Sequence, residues 1–195
     1  MRRDLAPRPS AKLRIVGGSL RGSRLAVRDA PGLRPTPDRV RETLFNWLMP
    51  VIEGAQCLDL CAGTGALGIE ALSRGAAAVD FVETDARLAD ELRANLQRLQ
   101  QPVSVQRMDA LEFLRSGSAA YDVVFLDPPF GARLWTPLAQ ALENGARLKS
   151  PAWIYVESPA DAVPEMPDTF ALHREGRAGA VRYALYRRSA KLSAP

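Results

Sequence analysis

From Cys57 onward the chain alternates short apolar runs with stretches of helical period. The apolar runs CLDLC, VDFVE, VSVQ, YDVVFLD and WIYVE have the length and content of buried strands. Between them Leu67 to Leu72, then Leu88, Leu92 and Leu99, then Leu134, Leu138 and Leu142 mark amphipathic helices. This alternation predicts an α/β fold, a mostly parallel sheet with helices on both faces. The segment FALHREGRAGAVRYALYRR reads differently, as two alternating strands about a glycine turn, and predicts an antiparallel hairpin closing one sheet edge. Ahead of the core, LRIVGGSLRGSRLAV predicts another hairpin with its arginines outward. In RPTPDRVRETLFNWL, Thr36 can cap a helix and Pro37 can occupy its first turn, while Val40, Leu44 and Trp47 or Leu48 form an apolar stripe.

Composition narrows the class. A chain of 195 residues with 47% hydrophobic and 25% charged residues is expected to bury a core without disulfides or metal. No apolar stretch is long enough to cross a bilayer. The start, MRRDLAPRPSAKLRI, is basic without the apolar run of a signal peptide, so a cytoplasmic address is expected, with the first dozen residues mobile. Cys57 and Cys61, read as one strand, would lie about 13 Å apart, too far for a disulfide. Residues 1–45 hold eleven Lys or Arg against four acids, a net of +7, and the remainder carries −3. This asymmetry divides the chain into a basic N-terminal extension, residues 1–50, and a core, residues 51–190. It suggests a polyanion such as nucleic acid as partner, a solvated basic tail being the alternative.

LDLCAGTGALGIEAL places Gly63, Gly65 and Gly68 in a G-x-G-x-x-G spacing between a strand and a helix, where the backbone turns sharply and can approach a ligand. Glu83 ends the next strand, where a carboxylate can accept from both hydroxyls of a ribose. A nicotinamide dinucleotide and S-adenosylmethionine both fit. Asp59 favours the second, because a carboxylate beside the loop suits a sulfonium cation better than a pyrophosphate. Asp109 can accept from an adenine amine while the Ala110 N–H reaches a ring nitrogen; Asp109 can equally cap the helix that ALEFL begins.

The run FLDPPF closes the fourth apolar stretch with one carboxylate, two prolines and a ring. Tandem prolines fix φ and remove two N–H donors, leaving a stiff ledge of acceptors. Asp127 and the Pro128 carbonyl can together accept both protons of an exocyclic amine, and Phe130 offers a face on which an extruded base stacks. Such a site needs no strong base. His173 lies in the late hairpin, and the sequence offers no Ser/His/Asp set.

LDLCAGTGALGIEALSRGA, FVETD, DPPF and RPTPDRVRETLFNWL together resemble the RsmD-type ribosomal RNA guanine-N2 methyltransferases, over about Leu13 to Arg187. The resemblance implies a Rossmann-like class I methyltransferase fold: seven strands with an antiparallel last strand, plus an N-terminal hairpin and helix. It implies Asp59, Gly63, Gly65, Glu83, Asp109 and Ala110 around S-adenosylmethionine, and Asp127, Pro128 and Phe130 around the target amine. The implied substrate is a guanine of small-subunit (16S) ribosomal RNA, at position 966, in naked RNA or a 30S assembly particle, with no metal and no membrane. Arg34, Arg39 and Arg41 are the expected phosphate contacts, against ordinary pairing of helix cations with Asp38 and Glu42. Other amine acceptors (adenine N6, a glutamine amide), a nicotinamide oxidoreductase and a non-catalytic RNA-binding module are the alternatives.

Overall fold

A computed structural model describes residues 13–27 and 36–189. Arg34 and the first dozen residues lie outside the described residues. The N-terminal hairpin is short: β1 (Leu13–Arg14) and β2 (Arg24–Leu25) pair antiparallel with Leu13 opposite Leu25. Beyond the strands, the Ile15 N–H donates to the Ser23 carbonyl and the Gly22 N–H to the Ile15 carbonyl, both at 2.9 Å. Leu13, Ile15, Leu25 and Val27 point inward, and Arg14, Arg21 and Arg24 are exposed. Helix α1 (Asp38–Leu48) buries Val40, Leu44, Phe45 and Leu48. Thr36 does not cap it: Pro37 takes the N-cap position without a side-chain bond, and the Thr36 hydroxyl donates instead to the Glu157 carboxylate at 2.6 Å. A buried carboxylate without donors would carry a desolvation penalty, which this bond helps offset.

The core runs β3 (Gln56–Asp59), α2 (Ala66–Ser73), β4 (Ala78–Val82), α3 (Ala86–Arg98), β5 (Val105–Gln106), α4 (Ala110–Ser116), β6 (Tyr121–Leu126), α5 (Trp135–Asn144), β7 (Leu148–Pro159), β8 (Phe170–Ala178) and β9 (Val181–Arg188). The seven strands stand in the order β5-β4-β3-β6-β7-β9-β8. All neighbours are parallel except those of β9, the last strand in the chain, which runs against both β7 and β8. Residues alternate across the sheet as a period of two requires. Phe125, Tyr155 and Leu185 face the cluster under α1, α2 and α3, while Val124, Ile154 and Ala184 face that under α4 and α5. Hairpin residues Leu13, Ile15, Leu25 and Val27 belong to the first of these clusters, so the described part of the basic extension shares the core's hydrophobic interior.

Cys57 and Cys61 do not share a strand as expected. β3 ends at Asp59 because the chain there turns toward the glycines, which leaves Cys61 in the loop; both thiols are free. Strand order reverses between β3 and β6, and in an open sheet the crevice at that switch point is the ligand site. Asp59 lies opposite Phe125 in the β3–β6 register, so the glycine loop and the Asp-Pro-Pro-Phe run leave the sheet side by side.

Candidate functional site

A cavity of about 650 Å³ opens at that switch point. It brings together residues the sequence had singled out separately: Asp59, Gly63, Glu83, Asp109, Ala110, Asp127, Pro128 and Phe130 all line it. Gly65 does not line the cavity; it begins α2 at φ 73°, in the left-handed region, and a Cβ there would stand 2.2 Å from Leu92 Cδ1. Gly68, one turn into α2, lets the helix approach the sheet: a Cβ there would meet the Phe81 ring at 2.2 Å. The loop thus depends on glycine at Gly63 and Gly65 for torsion and at Gly65 and Gly68 for packing.

Two acids shape this loop from beneath. Glu83 accepts from the Gly63 N–H at 2.7 Å with one oxygen and from the Asp85 N–H at 2.8 Å with the other. Asp59 accepts from the Gly68 N–H at 2.9 Å. Burial pushes the Asp59 carboxyl up to about 7; the Gly68 N–H opposes that shift and the Glu83 charge adds to it. Asp109 caps α4, accepting from the N–H groups of Leu111 at 2.9 Å and Glu112 at 3.1 Å. The cavity floor is therefore acidic, and α3, capped by Asp85, and α4, capped by Asp109, begin at its edge.

The Asp59 shift sets a stability prediction. Between about pH 4 and 7 the folded carboxyl keeps a proton that the unfolded chain has released, so its contribution to stability falls as pH rises through that window and levels off above it. Asp59→Asn retains an acceptor for Gly68 and removes the penalty, so urea unfolding at pH 8 should show a gain of at most about 4 kcal/mol, the cost of moving a carboxyl from 3.8 to about 7. At pH 5 the gain should be smaller. A gain that did not depend on pH would show that Asp59 carries no such penalty.

On the opposite wall, Asp127 follows β6 directly. Among the described residues no group donates a hydrogen bond to its carboxylate, in keeping with the two prolines that follow it. Burial raises its proton affinity well above that of an ordinary aspartate, with the charges of Glu157 and Asp59 adding to the effect. The chain then makes a short 3-10 turn, Phe130–Ala132, fastened by the Ala132 N–H donating to the Pro129 carbonyl at 2.9 Å. Phe130 is half-buried and leans on Trp135, with ring centroids 5.9 Å apart. The Trp135 indole N–H donates to the Glu157 carbonyl at 2.6 Å, which steadies that support.

Several side chains at the cavity were not foreseen, among them two that are hydrogen-bonded to each other. Glu157 and Thr36 both line it, joined by their 2.6 Å hydrogen bond. The signal for Glu157 was present, as the acid that ends WIYVE, but its relevance depends on β7 lying beside β6. Cys61 also lines the cavity, and burial with four nearby carboxylates drives its thiol far from ionisation, so it does not supply a thiolate nucleophile. His173 packs edge-on against Trp153 at 4.9 Å, outside the cavity lining.

Of the three arginines, Arg39 and Arg41 fall within the described residues and fare differently. Arg39 is exposed on α1. Arg41, expected to reach phosphate, is fully buried. Its guanidinium donates to Glu70 at 3.4 Å, to Asp38 at 2.5 Å and to the carbonyls of Arg14 at 2.7 Å and Thr36 at 3.2 Å. Glu70 also accepts from the Val16 and Gly17 N–H groups, each at 2.8 Å, so the hairpin covers this side of α1 and turns a helix-surface cation into an interior one. On the other flank the Asn95 amide both donates to the Ala26 carbonyl and accepts from its N–H, at 3.0 Å each. Among the described residues no group of three His, Cys, Asp or Glu side chains is placed to hold a metal ion, and no helix is long and apolar enough to cross a membrane.

Comparison with known proteins gives the family and the shared fold. The family model described as Conserved hypothetical protein 95 matches residues 13–187. The chain is 48% identical over 184 residues to Ribosomal RNA small subunit methyltransferase D of Escherichia coli, covering 93% of each. It is 43% identical over 191 residues to the Haemophilus influenzae protein of the same name, covering 95% of this chain and 99% of that one. The solved structure of yhhF from Escherichia coli superposes with a TM-score of 0.86 at 45% identity, covering 93% of this chain and all of that one. With the family match running from the hairpin through the last strand, and with the glycine loop and Asp-Pro-Pro-Phe ledge meeting in one cavity, the chain belongs to the ribosomal RNA small subunit methyltransferase D family.

Proposed function

We propose that this chain transfers a methyl group from S-adenosylmethionine to the exocyclic N2 amine of a guanine in 16S ribosomal RNA, at position 966, in the cytoplasm where small subunits assemble. The observation that carries this reading is the Asp127 carboxylate, which receives no donor among the described residues and stands on a proline ledge across one cavity from the glycine loop. The residues fit the cofactor. Acidic Asp59 and Glu83 under the loop suit a cationic ligand and oppose a pyrophosphate, and the cavity volume of about 650 Å³ accommodates a nucleoside. Glu83 and Asp109 would meet the ribose and the adenine amine, using acceptor capacity beyond the backbone N–H groups they already serve.

When bound, S-adenosylmethionine supplies a methyl on a cationic sulfur, and the S–C bonding pair leaves with that sulfur as a neutral thioether. Asp127 and the Pro128 carbonyl hold both protons of the N2 amine, drawing its lone pair out of conjugation and aiming it at the cavity. As the N–C bond formed at the expense of the S–C bond, the positive charge developing on nitrogen would stand next to the Asp127 carboxylate. The proton that the methylated nitrogen sheds can pass to Asp127, whose raised proton affinity suits it to that task. Phe130, backed by Trp135, gives the extruded base a surface to stack on.

The exposed Arg14, Arg21, Arg24 and Arg39 would hold RNA phosphates. Affinity for small-subunit RNA should therefore fall steeply as salt rises while S-adenosylhomocysteine affinity barely changes; a flat salt response would remove the hairpin as the docking surface. Two experiments test the reaction itself. S-adenosylhomocysteine, and not NAD, should raise the unfolding temperature. Incubation of the protein and isotopically labelled S-adenosylmethionine with 16S RNA and with its protein-bound particles, followed by nucleoside digestion, should give label in N2-methylguanosine. Label in methyladenosine or in protein would overturn the guanine assignment.

A further inference from the structure

Glu157 takes no part in the chemistry just described, yet it is a buried acid lining the same cavity. Strands β6 and β7 are parallel with Leu126 opposite Val156, so the next residues, Asp127 and Glu157, stand beside each other at the sheet's carboxyl edge. Two hydroxyls orient the Glu157 carboxylate: Oε1 accepts from Thr36 at 2.6 Å and from Tyr155 at 2.9 Å. A carboxylate offers about four acceptor sites, so Glu157 can serve several donors at once, these two hydroxyls, both on Oε1, among them.

The two candidate bases differ beside their amines. Guanine carries an N1–H donor next to its N2 amine, whereas adenine carries a bare N1 next to its N6 amine, with C5 and then the bare N7 on the other side. Resting on the guanine reading above, we infer that Glu157 accepts the N1–H of the target guanine while Asp127 and the Pro128 carbonyl hold the N2 amine. Glu157 is then the residue that selects guanine over adenine. Adenine placed on the same ledge would turn a ring lone pair toward the carboxylate, leaving a buried acceptor facing an acceptor, the kind of mismatch that binding sites reject most strongly.

2-Aminopurine separates the two roles, because it keeps the N2 amine and lacks the N1–H. Small-subunit RNA carrying guanine or 2-aminopurine at the target position, ligated from synthetic and transcribed pieces and assembled into its protein particle, serves as substrate. The wild-type chain should favour guanine by about a hundredfold or more in kcat/KM. In Glu157→Gln, whose amide can donate to the bare N1 of 2-aminopurine, that preference should shrink by about tenfold or more. Tyr155→Phe removes one of the two orienting hydroxyls and should shift the ratio the same way, giving a second reading should the glutamine variant fail to fold. Equal wild-type rates on the two bases, or variants that slow both bases alike and leave the ratio unchanged, would overturn the inference. Absence of label on guanine N2 with the wild type would instead sink the proposed reaction.

Discussion

Replacing Asp127 by alanine should lower kcat by about a hundred- to a thousandfold, while S-adenosylhomocysteine still raises the unfolding temperature. On the proposed reading the carboxylate would meet the amine, whereas the cofactor would rest on the glycine loop, Asp59 and Glu83, which line the same cavity. Its removal strips the amine of one acceptor and the developing positive charge of its nearest counter-charge, and it leaves the loop's hydrogen bonds to Glu83 and Asp59 untouched. Asp127→Asn keeps a carbonyl acceptor without the charge and should fall between wild type and alanine. The pH profile adds a third check. Because burial, Glu157 and Asp59 raise the proton affinity of Asp127, turnover should decline as pH drops through that raised value, above the range of an exposed aspartate. Unchanged turnover in the alanine variant would refute the role assigned to this residue.

Glu70→Ala should destabilise the chain by about 3 to 5 kcal/mol, the cost of removing a buried carboxylate that serves two guanidinium groups and two backbone N–H groups. For a chain of this length that lowers the unfolding temperature by about 10 °C. Glu70 is fully buried and serves four donors: Arg41, Arg74 at 2.9 Å, and the N–H groups of Val16 and Gly17. Without it the Arg41 guanidinium keeps the half-exposed Asp38 but loses its interior counter-charge. The hairpin also loses the clamp that seats it on α2, so RNA affinity should fall further than the affinity for S-adenosylhomocysteine. Thermal unfolding and RNA titration read the two effects separately, and an unaltered unfolding temperature would show that the Glu70 cluster contributes no net stability.

The elements that were legible in the sequence share a property. The strand ending at Asp59, the strand ending at Leu126 and the terminal hairpin about Gly179 declare themselves through side-chain periodicity and turn chemistry that act over a few residues. The same holds for Asp109, whose capping geometry follows from its place before ALEFL. Thr36 misled because a local cap competed with a distant carboxylate, 121 residues away, and the buried carboxylate took the hydroxyl. Arg41 misled in the opposite sense: on an isolated α1 it would face water, and only the hairpin packed over that face makes it interior.

The amino-acid pattern by itself determined the α/β alternation, the glycine turn and the donor-poor Asp-Pro-Pro-Phe ledge, because periodicity, proline and glycine constrain the backbone within a turn or a strand. Tertiary structure alone decided that these two loops share one cavity, that Glu157 stands beside Asp127, and that Arg41 is buried. Those outcomes depend on strand order and on packing between distant segments, and burial, which sets the cost of every charge, exists only once the segments have met.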